Sequence, residues 1–358
     1  MASRVRPVNN SILDLTIEEL QELLLSLEVP VFRAKQIYQW LYHSLEFDFA
    51  RMDNLPKALR DKLSASLVTL PLTVEKISVS EDKLTRKALL RLQDGKAIES
   101  VLMVYPEKAD SRGRRTVCVS SQAGCGMGCA FCATGREGLA RNLSSGEIVG
   151  QVLLFARQLA QESLGPVTNV VLMGQGEPLA NMRNVLKAID TLNSPFGFNL
   201  GARHFTISTV GLVPQIREMA KRRLQVGLAV SLHAPDDALR DQLMPVNKKY
   251  PVQELVAACR EYAEATGRRV TFEYALIDGV NDSLKCARDL AQLLKGLLCH
   301  VNIIPLNPIK GSRFKPSPTD RVAGFQAELR RKGVAVTVRA SRGTHIDAAC
   351  GQLKAHAG

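Results

Sequence analysis

Residues 124–132 read Gly124-Cys125-Gly126-Met127-Gly128-Cys129-Ala130-Phe131-Cys132, three cysteines separated by three residues and then two. Thiolates are soft ligands, and a cubane iron–sulfur cluster offers four iron corners that each take one. Cys125, Cys129 and Cys132 would fill three of them and leave the fourth open. By the logic that separates catalytic from structural zinc, an open metal position marks a site that binds and transforms something. Gly124, Gly126 and Gly128 are expected to let the backbone curl round a bulky inorganic body. The competing reading, a zinc site or buried structural thiols, lacks the second Cys or His pair that zinc sites bring some tens of residues on. A disulfide framework is disfavoured, because 358 residues can build their own core.

Outward from this loop, short apolar runs alternate with longer helical stretches. Strands are expected at 117–120, 169–173, 204–208, 227–232, 270–276 and 301–305, with a further one at 334–338. Such alternation implies parallel strands joined by helices. Six main units make an α/β fold, an open partial (β/α)6 barrel, whose chemistry sits at the carboxyl ends of the strands. Toward the N-terminus, residues 11–68 carry helical periodicity in Leu20, Leu23 and Leu24, in 36–41 and in 59–67. Residues 74–104 read as an antiparallel meander ending in Glu99, with turns at Glu81-Asp82 and Asp94-Gly95. The expected division is a helical module over 1–70, a meander and linker over 71–111 carrying Glu99, a core over 112–345, and a C-terminal segment over 346–358 carrying Cys350. The loop 307–318, with four Pro or Gly residues, is expected to be irregular and exposed.

Composition narrows the partner. Hydrophobic residues make up 46% of the chain, enough for a proper core, and the formal net charge is +12. That excess favours a polyanion, through phosphate neutralisation and counterion release. Basic residues cluster at Arg112, Arg114 and Arg115, at 221–223, at Lys248 and Lys249 beside Tyr250, and at 330–332. Aromatics at 5% argue against a surface that stacks many bases, whereas one extruded base needs few rings. No apolar run is long enough to span a membrane, so a cytoplasmic protein is expected. Asp14, Glu18 and Glu19 follow too soon after Arg4 for an acid-poor transit peptide.

The cysteine run resembles the signature of the radical S-adenosylmethionine (radical SAM) superfamily. Further motifs narrow the likeness: Cys118-Val-Ser-Ser-Gln122, Arg141-Asn-Leu143, Gly174-Gln-Gly-Glu-Pro-Leu179, Ser231-Leu-His-Ala-Pro235 and Asp347-Ala-Ala-Cys-Gly-Gln-Leu353. In this order they resemble the RlmN/Cfr family of RNA adenine methyltransferases over residues 97–353. The resemblance implies a radical SAM barrel, one [4Fe-4S] cluster held by Cys125, Cys129 and Cys132, and two molecules of S-adenosylmethionine (SAM) per turnover. It implies that Gly176, Glu177, Ser208, Ser231, Leu232, His233 and Asn307 bind SAM, and that Met173 also lies at the site.

The resemblance further implies a mechanism built on two thiols. Cys350 would accept a methyl group from SAM, and hydrogen abstraction from that group would let it add to the adenine ring, joining protein and RNA. Cys118 would then resolve the adduct through a transient disulfide with Cys350, and Glu99 would accept a proton as the ring rearomatises. The implied partners are 23S rRNA at the peptidyl-transferase centre, tRNA beside the anticodon, and an electron donor such as flavodoxin or ferredoxin, with the enzyme a monomer. Carbon C2 is favoured over C8, because C8-modifying relatives tend to carry Ala where Pro178 stands. Gln175 departs from the family's usual methionine and is expected to alter packing beside SAM. Cys259, Cys286 and Cys299 match no motif. A C8-specific methyltransferase, a radical SAM enzyme on a small molecule and a zinc-bearing RNA-binding protein remain the alternatives.

Overall fold

The computed structural model of the protein describes residues 11–354 apart from 108, 110, 111, 340 and 341. The transit-peptide question and the last four residues of the C-terminal segment therefore lie outside the described residues.

Three helices open the chain: α1 (Ile17–Ser26), α2 (Arg33–Tyr38) and α3 (Lys57–Ser66). Thr16 and Glu19 form a capping box at the start of α1, a feature that typically stabilises a helix by about 1 kcal/mol. Leu20 and Leu24 of α1, Ile37 of α2, and Leu59 and Leu63 of α3 bury the apolar stripe that the periodicity implied. The module docks on the rest of the molecule through one shared hydrophobic cluster, through Asp14, which accepts from the Gly146 amide at 2.6 Å, and through a Lys187–Glu19 ion pair at 2.6 Å.

A meander follows, β1 (Leu72–Val79), β2 (Thr85–Leu92) and β3 (Ala97–Tyr105), all antiparallel. It does not end in Glu99: β3 continues to Tyr105 and pairs antiparallel with β4 (Arg114–Cys118). The meander is thus continuous with the parallel strands. Strand β4 also starts and ends about three residues earlier than its apolar run suggested. Its exit is set by Ser120, whose amide turns to Gln151 Oε1 and whose hydroxyl donates to the Glu99 carbonyl, drawing the backbone out of the ladder.

Next comes a small hairpin that periodicity did not reveal, β5 (Gln122–Cys125) with β6 (Gly138–Asn142), then α4 (Ser145–Gln161). The barrel continues as β7 (Asn169–Leu172), α5 (Met182–Asn193), β8 (Phe205–Thr209), α6 (Val213–Arg222), β9 (Gly227–Ser231), α7 (Asp237–Leu243), α8 (Val252–Thr266), β10 (Val270–Leu276), α9 (Leu284–Leu293), β11 (Cys299–Pro305), α10 (Thr319–Arg331) and β12 (Val336–Val338). The large sheet runs β1-β2-β3-β4-β7-β8-β9-β10-β11-β12, parallel from β4 to β12. Its end strands β1 and β12 do not pair, so the barrel is open, as the alternation implied. Strands such as β9 and β10, buried by helices on one side and the lumen on the other, are apolar nearly throughout. Among the described residues, no helix is long and apolar enough to cross a membrane.

Candidate functional site

Two adjoining cavities lie inside the open barrel. The upper one sits at the carboxyl ends of β7 to β11 and is lined by Cys125, Cys129, Cys132, Gly176, Glu177, Ser208, Ser231, His233, Asn307 and Cys350, with Met173 and Arg339 below. The second is lined by Val101, Met103, Tyr105, Cys118, Met173, Asn307, Arg339, Arg342 and Cys350. Cys350 and Asn307 belong to both walls.

The cysteine loop gains its shape from the hairpin. Cys125 ends β5, and Gly124 is left-handed (φ 75°) where a Cβ would stand 2.1 Å from the Gly138 carbonyl oxygen, so no other residue fits there. Gly128 is also left-handed, but Gly126 is not, so the expected curl uses two of the three glycines. Burial pushes the Cys125 thiol up to about 11 and Cys129 higher still; metal binding must therefore displace their protons. The three thiols share one cavity wall, yet among the described residues no three His, Cys, Asp or Glu side chains converge on a point fit for a single ion. Three thiols on one wall could each supply one corner of a multi-iron cluster.

Around them the cavity is furnished with buried, neutralised groups. Both Glu177 oxygens accept backbone amides, Leu179 N–H at 2.9 Å and Val210 N–H at 2.8 Å. Burial nonetheless raises its pKa to about 7, against the lowering pull of those amides. Its own amide donates to Gln122 Oε1, and Gly176 is left-handed (φ 99°) with a would-be Cβ 2.5 Å from the Gln122 side chain. A ligand ammonium placed here would meet a carboxylate whose charge it stabilises.

His233 adopts φ 58° at the end of β9, and its Nδ1 accepts the Ala275 amide at 2.8 Å. The remaining proton is therefore on Nε2, and burial with the nearby Arg240 charge holds the ring neutral, its pKa down to about 3. Phe131 of the cysteine loop packs edge-on against it at 4.7 Å. Ser208 and Ser231 line the cavity half-buried. Leu232 differs: its side chain is fully buried in the main core and does not line the cavity, so any ligand contact there falls to the backbone.

The C-terminal segment is fastened against this wall. Asn307 donates to the Cys350 carbonyl at 3.0 Å, Gln352 to the Pro308 carbonyl at 3.0 Å, Thr134 to the Leu353 carbonyl at 2.7 Å, and the Ala133 amide to the Gly351 carbonyl at 2.9 Å. These bonds bring Cys350 beside Cys118, from the other side of the cluster motif in sequence, into one cavity. Both are free thiols. Burial, reinforced by a Cys350 charge, pushes Cys118 up to about 12, while Arg339 opposes that rise.

Glu99 lies apart from the thiols. It is buried rather than solvent-facing, pairs with Lys87 at 2.9 Å, accepts the Lys354 amide at 2.7 Å, and lines a neighbouring basic groove with Arg136 and Lys310. Gln175 does not pack beside the upper cavity either. Its side chain accepts the Glu99 amide at 3.0 Å, tying the Gly174–Glu177 loop to β3, and its buried Nε2 has no partner.

Arg339 and Arg240 had no sequence signal, and Met173 was named by resemblance alone. Met173 stands where both cavities meet, with its sulfur 3.8 Å from Arg339, so it is no ordinary core methionine. Arg339, just past β12, has its guanidinium held charged chiefly by Cys350. Arg240 is wholly buried and donates to the carbonyls of Leu232, Val210 and Ser231 and to Asn247, cross-linking the carboxyl ends of β8 and β9. Arg240 sits in the mixed polar run Asp237-Ala-Leu-Arg-Asp-Gln-Leu243 of α7, which carries no hint of such a strut.

Comparison with known proteins agrees with this arrangement. Residues 10–68 match the ribosomal RNA large subunit methyltransferase N-terminal domain, and residues 119–291 match the radical SAM superfamily. A probable dual-specificity RNA methyltransferase RlmN of Clostridium perfringens is 48% identical over 345 residues, 96% of each chain. One from Chloroflexus aurantiacus is 51% identical over 350 residues, 95% of this chain and 91% of that one. The crystal structure of a radical SAM methyltransferase from Sphaerobacter thermophilus superposes with a TM-score of 0.93 at 50% identity, covering 97% and 99% of the two chains. Superfamily membership implies an iron–sulfur cluster and SAM, which the thiols, the buried carboxylate and the neutral histidine above are suited to hold. The chain belongs to the RlmN family of radical SAM dual-specificity RNA methyltransferases.

Proposed function

We propose that this protein methylates carbon C2 of an adenine in 23S rRNA and of an adenine beside the anticodon of tRNA. The observation that carries the mechanism is the shared cavity of Cys118 and Cys350, with Arg339 on its wall. In this reading one [4Fe-4S] cluster, on Cys125, Cys129 and Cys132, and SAM together supply a methyl cation equivalent and a carbon-centred radical when bound. Glu177 and Gly176 orient the SAM amino group, and Ser208, Ser231, His233 and the backbone at Leu232 hold its nucleoside. Asn307 fixes the Cys350 loop.

Cys350 would attack through its sulfur, losing the thiol proton as it takes the methyl group, with Arg339 lining the same cavity. Once the S-methyl carbon has given up a hydrogen atom to the cofactor-derived radical and bonded to the ring, and the ring radical has surrendered one electron, Glu99 would accept the proton released on rearomatisation. That last role requires the segment holding Lys354 against Glu99 to shift. Cys118 then attacks the Cys350 sulfur, the RNA departs, and a disulfide is left for an external two-electron reductant to open. The enzyme would work in the cytoplasm as a monomer, with flavodoxin or ferredoxin supplying electrons. The division into a helical module (1–70), a meander (71–111), a barrel core (112–345) and a thiol-bearing tail (346–358) is part of the same proposal.

The test is Cys118→Ala, assayed anaerobically with cluster, SAM and RNA. A protein–RNA adduct through Cys350 is expected to accumulate. Its absence while SAM is still cleaved would overturn the two-thiol mechanism, and 8-methyladenosine as sole product of the parent chain would overturn C2.

A further inference from the structure

We infer that the RNA strand enters at the amino-terminal end of the barrel, its phosphates gripped by Arg114 and Arg342 on either side of the Tyr105 ring. This deepens the RNA reading above and rests on it.

The argument begins with strand pairing. In the β3–β4 ladder Tyr105 lies opposite Arg114, Met103 opposite Thr116, and Val101 opposite Cys118. Side chains alternate along a strand, so these six share one face. From the rim pair to the Cys118 pair the face runs four residues, about 14 Å at the usual rise per residue. That is the scale on which a single extruded nucleotide reaches inward from its phosphate.

At the rim, the Arg114 guanidinium carbon is 4.3 Å from the Tyr105 ring centroid and that of Arg342 is 4.5 Å from it. The ring holds both cations by their planar faces and leaves their N–H forks free at the edges. Arg342 spends one donor on the Val104 carbonyl at 3.4 Å. Among the described residues, neither arginine has a carboxylate within 4.0 Å. Forks of this kind match phosphate bidentately.

Continuity decides between entrances. The lower barrel opening, whose wall includes Tyr105, Arg114 and Arg342, shares Met103, Tyr105, Met173, Arg339 and Arg342 with the thiol cavity. The other basic surface, the groove with Lys76, Lys310 and Glu99, shares none of its lining residues with that cavity. A base must reach Cys350, so the arginine rim is the route.

The test uses the full chain with its cluster reconstituted, and a synthetic RNA hairpin carrying an unpaired loop adenosine. The double variant R114Q/R342Q is expected to bind this RNA on the order of tenfold more weakly. The slope of log affinity against log salt should become shallower by about 1.5, the value for two lost phosphate contacts. SAM affinity should not change, which also reports that the variant is folded. K76Q/K310Q should keep the parent slope. Should the arginine double variant itself prove unfolded, R114K/R342K is expected to keep the slope while losing affinity, as the charge stays and the fork goes. An unchanged slope in R114Q/R342Q, or a reduced one in the lysine pair alone, overturns the assigned entrance. Failure of the parent chain to bind RNA would overturn the RNA reading with it, whereas binding without methylation would count against the proposed function and leave the entrance standing or falling by its slope.

Discussion

The two cavities are built on opposite electrostatic plans. In the upper one, burial pushes three of the wall residues toward their neutral forms: Glu177 up to about 7, His233 down to about 3, Cys125 up to about 11. In the thiol cavity a guanidinium, Arg339, stays charged beside Cys350. The first is a receptacle whose charges arrive with its ligands. The second carries a fixed guanidinium beside its two thiols. Differences of assembly follow the same line: the upper wall comes from consecutive strand ends, and the thiol wall from two antiparallel strands and the far end of the chain.

The sharpest way to break this contrast is Cys129→Ala. Iron and sulfide content should fall to background and 5′-deoxyadenosine formation should stop, while RNA affinity persists because the thiol side is separate; loss of RNA binding would show the two cavities to be one unit. Next in size, Cys350→Ala should abolish methylation, by a factor of about 10³ or more, yet keep iron content and SAM binding. Third, Arg240→Met leaves three strand-end carbonyls without their donor and should cost about 3 kcal/mol in denaturant unfolding, with SAM affinity lost before RNA affinity.

Fourth comes pH. The folded pKa of Glu177 is raised above its ordinary 4.5, so the native state binds the extra proton between about 4.5 and about 7. Against an opposite contribution from His233, whose lowered pKa makes stability rise with pH up to about 6.5, the Glu177 contribution to apoprotein stability should therefore fall by roughly 3 kcal/mol as pH rises through that window and level off above it. Glu177→Gln should remove that slope, and a slope unchanged in the variant would reassign it. The smallest effect is expected for Gln175→Met, which relieves the unpartnered Nε2 but deprives the Glu99 amide of its acceptor. The two nearly cancel, and unfolding should shift by less than about 1 kcal/mol.

The same contrast explains what was legible in the sequence. The cysteine run is local, so spacing alone exposes it, whereas Gly176-Glu177 stood out only through the family resemblance. Barrel strands were readable because buried parallel strands are continuous apolar runs. That Cys118 and Cys350 line one cavity depends on how β3, β4 and the tail meet, which spacing along the chain does not reveal. Arg339, Arg240 and Tyr105 escaped notice, since each acquires its role from neighbours distant in sequence. Glu99 was named by likeness alone, and its partners Lys87 and the Lys354 amide come from an adjacent strand and the tail, which no local pattern reveals.

Cys350 follows every other site residue in chain order and is held in place by just a few bonds from Asn307, Thr134 and Gln352. If Cys350 is the methyl acceptor proposed above, ribosomal synthesis delivers it last. A chain cut short by a late nonsense codon would keep the whole radical-generating apparatus but have nowhere to load the methyl group, a lesion that wastes cofactor and exposes the cell to unquenched radicals.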